Sequence, residues 1–149
     1  TMNDKCGLTR VMIVDDDPLM RAGLTQILST DSSINIVGEA TDGYGALRLA
    51  ESIHPDVVIM DLSMPKLDGV AATRRILELL PKAEVLAISV YTDLDRAREV
   101  IEAGAMGYIV KASASRYLLA AVHAISNGSA FFSPGISAKL LEKLQQPQQ

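Results

Sequence analysis

Four aspartates directly follow two apolar runs, at positions where their carboxylates could bind a cation or take part in a reaction. Asp15, Asp16 and Asp17 directly follow one apolar run, and Asp61 directly follows another. Carboxylates crowded at the ends of buried strands repel one another, so we expect a cation to offset their charge or a reaction to use them. Hard cations such as Mg²⁺ prefer oxygen ligands and combine one or two carboxylates with water and phosphate oxygens. We therefore predict that Asp15, Asp16 and Asp61 share one Mg²⁺ ion, whereas Asp17 only caps a helix.

The alternative interpretation is that these carboxylates are ordinary helix caps and solvated turn residues. A zinc site does not fit the pattern, because His54 and His123 do not lie at predicted strand ends and Cys6 precedes the first strand.

Asp61 is the better candidate for a nucleophile, because it stands alone after a fully apolar run that is typical of a central strand. A carboxylate beside Mg²⁺ can form an aspartyl phosphate. Lys111 could then pair with a phosphate oxygen as a point charge. Taken alone, Lys111 would be a surface lysine and Ser89 a loop residue. Their significance depends on their position, since each follows a different predicted strand.

Short apolar runs that alternate with helical patterns predict the scaffold of these residues. Five strands are predicted, at residues 10–14, 34–40, 57–60, 85–89 and 108–110. The five helices that follow them are predicted to begin at Asp17, Asp42, Asp68, Thr92 or Asp93, and Ser113 or Ser115. Such alternation predicts an α/β fold with a parallel sheet, helices on both faces, and a site at the carboxyl ends of the strands.

Two finer features of the scaffold are also predicted. The second strand contains Asn35 and Gly38, which suits an edge strand better than a central one. In the third helix, the apolar residues Ile76, Leu79 and Leu80 are expected to face the core.

The composition favours a soluble cytoplasmic protein that forms one domain. The chain has 149 residues, of which 48% are hydrophobic. No apolar run approaches the ~20 residues that cross a bilayer, so no membrane contact is expected. The single cysteine cannot form an internal disulfide. The net charge is −4 and no basic run exceeds the pair Arg74-Arg75, so the chain itself is not expected to bind DNA.

Several motifs together resemble a known family. They are Val14-Asp15-Asp16, the stretch Asp-Leu-x-Met-Pro-x-x-Asp-Gly at residues 61–69, Ser89, and Gly107-Tyr108-Ile109-Val110-Lys111. This set is similar to the receiver domain of two-component response regulators, and flanking details such as residues 37–40 and 104–108 resemble the NarL/LuxR-type subfamily. The likeness covers residues 8–128. It implies a flavodoxin-like (βα)5 doubly wound fold whose five-stranded parallel sheet has the order 2-1-3-4-5.

The resemblance implies a role for each acidic position. Asp61 would accept a phosphoryl group from a sensor histidine kinase. Asp16 would bind Mg²⁺ directly and Asp15 through water, while Asp61 and the backbone carbonyl of Ser63 would complete the protein ligands. Such a chain is not an enzyme with an external substrate, since it catalyses only its own phosphoryl transfer and dephosphorylation.

The resemblance also implies a switch. Lys111 would contact the phosphate, Ser89 would move toward it, and Tyr108 would change rotamer with Ser89. The alternative for Tyr108 is a half-buried tyrosine on an edge strand. Ser63 and Tyr91 occupy positions that tune the dephosphorylation rate in such domains.

Two residues depart from the common receiver pattern. Ala112 follows Lys111 where many receivers have a proline, often after a cis bond. A cis bond before a non-proline residue costs roughly 2.5–4 kcal/mol, so we expect a trans bond or an altered loop. Ser89 replaces the more common threonine and keeps its hydroxyl.

The ends of the chain are predicted to lie outside the receiver domain. Residues 1–7 are expected to be a disordered segment or a tag remnant, and residues 129–149 a linker with a short helix that leads to a missing output domain. We therefore expect a fragment of a longer transcriptional regulator that reaches DNA only through that output domain. The alternative is a native single-domain receiver. Pairing into a homodimer is a further expectation, although the sequence does not indicate which face is used.

Three other functions fit the sequence less well. An aspartate-nucleophile phosphohydrolase usually has a second carboxylate two residues after its nucleophile, but Asp61 is followed by Leu62 and Ser63. Asp15 and Asp17 have that spacing but lack the expected threonine after them. A flavodoxin-like cofactor binder would need a phosphate-cradling loop where three aspartates repel phosphate. A receiver that dimerises without phosphate is disfavoured by the complete acidic set.

Overall fold

The computed structural model describes residues 7–64, 66–90 and 94–145, with side chains described through residue 139. Strands and helices alternate along the chain. Their bounds are β1 Thr9–Val14, α1 Pro18–Ser29, β2 Ile34–Ala40, α2 Gly43–Ile53, β3 Val57–Asp61, α3 Gly69–Leu79, β4 Glu84–Ser89, α4 Leu94–Glu102, β5 Gly107–Val110, α5 Ala114–Ser126, β6 Phe131–Phe132 and α6 Pro134–Gln145. No described helix combines the length and the apolar character needed to cross a membrane.

Aspartates begin three of the helices, as predicted. The side chains of Asp17, Asp42 and Asp68 accept hydrogen bonds from backbone N–H groups in the first turns of α1, α2 and α3, at 2.9, 2.7 and 2.9 Å. Ser113 holds the position before α5, but its side chain makes no capping hydrogen bond. The predicted caps of α4, Thr92 and Asp93, lie outside the described residues.

All pairings in the sheet are parallel, in the order β2-β1-β3-β4-β5-β6. The predicted order of the five core strands and the edge position of β2 are confirmed. Phe131–Phe132 adds a sixth strand beside β5, which the sequence pattern did not predict. A two-residue strand carries no periodic pattern of its own, and only pairing with residues 107 and 108 defines it.

The core forms two layers, one on each face of the sheet. On the first, which we call the aliphatic face, α1 and α5 cover branched residues of the strands. On the second, which we call the alanine-rich face, α2, α3, α4 and α6 cover a layer that contains Tyr108. Ile136 of α6 is buried in this second layer, so α6 packs against the sheet.

Two apolar helix residues do not enter either layer. Leu79 is 47% exposed, which contradicts its predicted inward position, while Ile76 is buried and Leu80 is partly buried. Leu79 is the last residue of α3, and its side chain is exposed while Leu77 and Leu80 pack against the second layer. Leu19, in the first turn of α1, is 81% exposed.

Candidate functional site

The carboxyl ends of β1, β3, β4 and β5 bring the predicted residues to one edge of the sheet. Asp61 is the last residue of β3 and Ser89 the last of β4, and the register pairs Ser89 with Val110 at the end of β5. Asp15 follows β1 directly, and its N–H is held by the carbonyl of Ala40 at 3.1 Å. The side chains of Asp15, Asp61 and Ser89 are all buried there.

Lys111 lies between the two buried carboxylates. Its Nζ is 3.2 Å from Asp15 Oδ2 and 3.3 Å from Asp61 Oδ1, and its side chain is 15% exposed. Burial by itself lowers the pKa of Lys111, but the negative charges of Asp61 and Asp15 and their close contacts with Nζ outweigh burial and raise the pKa above its ordinary value. The lysine is therefore held in its charged form at the position predicted for a phosphate contact.

Burial raises the pKa of the Asp61 carboxyl to about 6. The N–H of Ser63 opposes this shift, the charge of Asp15 adds to it, and Lys111 opposes it. The carboxyl is consequently ionised at neutral pH, but less stable as an anion than an exposed aspartate.

The two oxygens of Asp61 have different surroundings. Oδ1 accepts a hydrogen bond from the backbone N–H of Ser63 at 3.0 Å and lies beside Lys111. Oδ2 is buried and has no hydrogen-bond partner within the described parts of the chain. A buried anionic oxygen without a partner is unfavourable unless a ligand completes it.

Asp15 accepts hydrogen bonds from residues at the start of α1. Its Oδ1 accepts a hydrogen bond from the N–H of Asp17 at 2.9 Å, and its backbone carbonyl accepts one from Arg21 at 2.7 Å. Its Oδ2 is in ion-pair distance of Lys111 but lacks hydrogen-bond geometry. The side chain of Asp17 caps α1, as predicted.

Asp15, Asp16 and Asp61 can each offer one carboxylate oxygen, and these oxygens lie within 4.8 Å of one another. Asp16 is exposed, whereas the other two are buried. An all-oxygen set in which Asp15 Oδ2 is buried without a hydrogen bond from the described residues fits a hard divalent cation such as Mg²⁺. The role of the Ser63 carbonyl stays a prediction.

Tyr108 is fully buried on the alanine-rich face. The alternative of a half-buried tyrosine on an edge strand is therefore wrong, because β6 and α6 cover that side of β5. Its predicted rotamer change stays a prediction. The Lys111–Ala112 peptide bond is trans, as expected for a bond before alanine, and residues Lys111–Ser113 form a 3₁₀ turn.

The sequence patterns did not identify two contacts near the site. Arg96 of α4 donates a hydrogen bond from Nη2 to the carbonyl of Leu62, directly after Asp61. The hydroxyl of Ser133 accepts a hydrogen bond from the N–H of Val110 at 3.2 Å, directly before Lys111. Neither residue belongs to a motif, and Ser133 falls in the stretch predicted to be a linker. Tyr91, predicted to tune dephosphorylation, lies outside the described residues.

Comparison with known proteins places this site in a family. The family described as "Response regulator receiver domain" matches residues 11–123. Transcriptional regulatory protein LiaR of Bacillus subtilis is 35% identical over 93% of this chain and 65% of its own length. Transcriptional regulatory protein DegU of Brevibacillus brevis is 34% identical over 90% of this chain and 57% of its own length. The chain thus spans less than two thirds of either relative.

A solved structure gives the same result. The two-component response regulator of the LuxR family from Aurantimonas sp. SI85-9A1 superposes with a TM-score of 0.89 and 34% sequence identity. The match covers 93% of this chain and 99% of that one.

Proposed function

Because the chain belongs to the response regulator receiver domain family, in its NarL/LuxR-type branch, we propose that Asp61 is the residue on which this signalling receiver accepts its phosphoryl group. The observation that supports this assignment best is the inequality of the two Asp61 oxygens. Ser63 and Lys111 hold Oδ1, while Oδ2 has no hydrogen-bond partner within the described residues. The carboxylate is therefore oriented by one oxygen and keeps the other for attack.

The transfer begins with Asp61 ionised. Oδ2 attacks the phosphorus of a phosphorylated donor, an O–P bond forms, and the bond from phosphorus to the donor breaks. The electron pair of that bond leaves with the donor, which is an imidazole nitrogen for a phosphohistidine or a carboxylate for an acyl phosphate. Lys111 stays positively charged and offsets the charge added to the site, since its pKa is raised.

Mg²⁺, when bound, would offset charge on the transferring oxygens. Asp15, Asp16, Asp61 and the backbone carbonyl of Ser63 would hold it. The close approach of the three carboxylate oxygens supports this assignment, as does the burial of Asp15 Oδ2 without a hydrogen bond from the described residues.

Phosphorylation then shifts a conformational equilibrium. A phosphoryl group adds negative charge and acceptor oxygens at the end of β3. Ser89, at the end of the adjacent strand, would donate its hydroxyl to that group, and Tyr108 would change rotamer into the space that Ser89 leaves. Lys111 would weaken its contacts with Asp15 and Asp61 and form a new contact with the phosphate. The phosphorylated state is favoured only by these added contacts.

The donor and the output are inferred from family membership. We propose that a sensor histidine kinase supplies the phosphoryl group and that the receiver hydrolyses its own aspartyl phosphate. The relatives LiaR and DegU are transcriptional regulatory proteins and are longer than this chain. We therefore propose that the receiver controls an attached DNA-binding domain, in a protein that acts in the cytoplasm and that can form a homodimer.

The test is incubation of the chain with acetyl phosphate and Mg²⁺, followed by intact mass measurement. The chain should gain one phosphoryl group, and Asp61→Asn or addition of a chelator should abolish the gain. Asp17→Asn is the matched control, because asparagine also caps helices and Asp17 is not assigned to the site.

Two results would overturn the proposal. An adduct that persists in Asp61→Asn would assign another acceptor. Sustained release of phosphate from a phosphoester, without a stable adduct, would favour the phosphohydrolase alternative.

A further inference from the structure

Arg96 links helix α4 to the loop that follows the phosphoryl acceptor. Its guanidinium is partly buried, and its Nη2 donates a hydrogen bond to the carbonyl of Leu62. Leu62 itself is fully buried. A charged donor thus reaches the backbone of the residue next to Asp61 from a helix that starts more than thirty positions further along the chain.

The Leu62 carbonyl and the Ser63 N–H belong to the same planar peptide unit. That N–H is the group that holds Asp61 Oδ1, at 3.0 Å. Arg96 therefore bonds to the carbonyl of this peptide unit, and Asp61 bonds to its N–H. A charged donor on the carbonyl polarises the peptide and strengthens its N–H as a donor.

The backbone directly before this peptide is fixed by other contacts. The N–H of Leu62 bonds to the carbonyl of Ile88 at 3.1 Å. A Cβ at Gly69 would lie 2.4 Å from the Asp61 carbonyl, so α3 packs directly on the backbone at the end of β3. The side chain of Ser63 is exposed and does not fix the peptide. Among the described contacts, Arg96 is the one that sets the orientation of the 62–63 peptide from its carbonyl side.

We propose that Arg96 is a positioning residue for phosphoryl transfer. It holds the 62–63 peptide so that the Ser63 N–H keeps Asp61 Oδ1 in place and leaves Oδ2 directed toward the donor. This inference rests on the proposed role of Asp61. It also makes the reactivity of Asp61 depend on the position of α4, whose Ala97 and Val100 are buried in the alanine-rich face.

The test compares Arg96→Gln with Arg96→Lys and Arg98→Gln. Arg98 is exposed on the same helix, so Arg98→Gln removes the same charge without touching the loop. With saturating Mg²⁺ and acetyl phosphate, Arg96→Gln should phosphorylate about tenfold more slowly, a loss at the lower end for one hydrogen bond from a charged group. Arg96→Lys should recover part of the rate, and Arg98→Gln should match the unsubstituted chain.

A second readout does not require phosphorylation. In ¹H–¹⁵N spectra, the Ser63 amide proton of Arg96→Gln should shift upfield because its hydrogen bond to Asp61 weakens, while Arg98→Gln leaves that resonance in place. An unchanged rate, an unmoved Ser63 amide, or the same effects in Arg98→Gln would each overturn the role of Arg96. If instead the unsubstituted chain takes up no phosphoryl group, the proposed function fails, and the Ser63 amide still reports whether Arg96 orients the peptide.

Discussion

The two faces of the central sheet are packed with different kinds of side chain. The aliphatic face, under α1 and α5, is built mostly from valine, isoleucine and leucine, with alanine only at positions 114 and 121. The alanine-rich face, under α2, α3, α4 and α6, contains seven alanines, three methionines and Tyr108. Both layers are buried to a similar extent, so the difference lies in the shape and stiffness of their side chains.

The difference indicates which parts of the molecule can rearrange. Branched side chains have few rotamers and interlock, so a helix on the aliphatic face cannot shift without losing close contacts. Alanine leaves a smooth surface, and methionine adapts to gaps. Tyr108, Arg96 and Ser133 all contact or belong to elements of the alanine-rich face. We therefore expect phosphorylation to move that face and to leave the aliphatic face in place.

The largest expected effect compares neighbours on β1 that point to opposite faces. Ile13 and Met12 are both fully buried, Ile13 in the aliphatic face and Met12 in the alanine-rich face. We expect Ile13→Ala to lower the free energy of unfolding by about 4 kcal/mol and Met12→Ala by about 2–3 kcal/mol, within the range for such truncations. The loss should be smaller for Met12 because Met60 and Met64 can fill part of the cavity. Urea unfolding at constant m-value measures both, and equal losses would contradict the proposed difference in stiffness.

The next prediction concerns the Asp61 carboxyl at the end of β3. The folded pKa of Asp61 is about 6, against 3.8 for the ordinary group, so the folded state binds a proton more readily than the unfolded state. Stability from this group is therefore present below about pH 4 and is lost as the pH rises through 6. In the absence of divalent cations, Asp61→Asn should raise the free energy of unfolding at pH 8 by roughly 1–3 kcal/mol.

Denaturant unfolding at several pH values checks this expectation. The difference between Asp61→Asn and the unsubstituted chain should shrink as the pH falls and vanish near pH 4. A less stable asparagine variant at pH 8 would mean that attraction to Lys111 outweighs the cost of burying the carboxylate.

A smaller effect is expected from the hydrogen bond between Ser133, directly before α6, and Val110 of β5. Ser133→Ala removes the acceptor of the Val110 N–H and should cost about 1 kcal/mol, as for a typical buried hydrogen bond. Ser126→Ala is the control, because the exposed Ser126 hydroxyl only bonds back to the carbonyl of His123 at the end of α5. Hydrogen exchange should speed up at Val110 in the first variant alone. If exchange at Val110 is unchanged, α6 is not coupled to β5 through this hydroxyl.

The smallest effect concerns Asp31, in the turn between α1 and β2. Hydrogen bonds lower the pKa of the Asp31 carboxyl to about 2. The larger contribution comes from the side chain of Ser33 and the next from His123. The sign is opposite to that of Asp61, because stability from Asp31 is present above about pH 4 and is lost as the pH falls toward 2. Asp31→Asn should therefore be slightly less stable at neutral pH and converge with the unsubstituted chain in acid. Acid unfolding followed by circular dichroism measures this, and curves that stay separate at pH 2 would contradict it.

Much of the scaffold was predictable because its signals are local. The caps Asp17, Asp42 and Asp68 each bond within three residues of themselves, so their neighbours in sequence suffice. The five core strands were visible as apolar runs. Features that depend on distant pairing were not visible, such as β6, which is defined by its register with residues 107 and 108. The exposure of Leu79 was also missed, since its apolar character matches that of a buried helix residue.

By itself, the sequence determined which carboxylates meet at the site. Aspartates that follow apolar runs must gather at one edge, because the carboxyl ends of parallel strands share it. Only the tertiary structure decided how they are used. Lys111 lies between Asp15 and Asp61, and Arg96 and Ser63 fix one side of the Asp61 carboxylate and leave Oδ2 without a partner. These relations depend on ångström-scale distances between residues from different elements, which the packing of α4 and β5 against the sheet sets and no local pattern records.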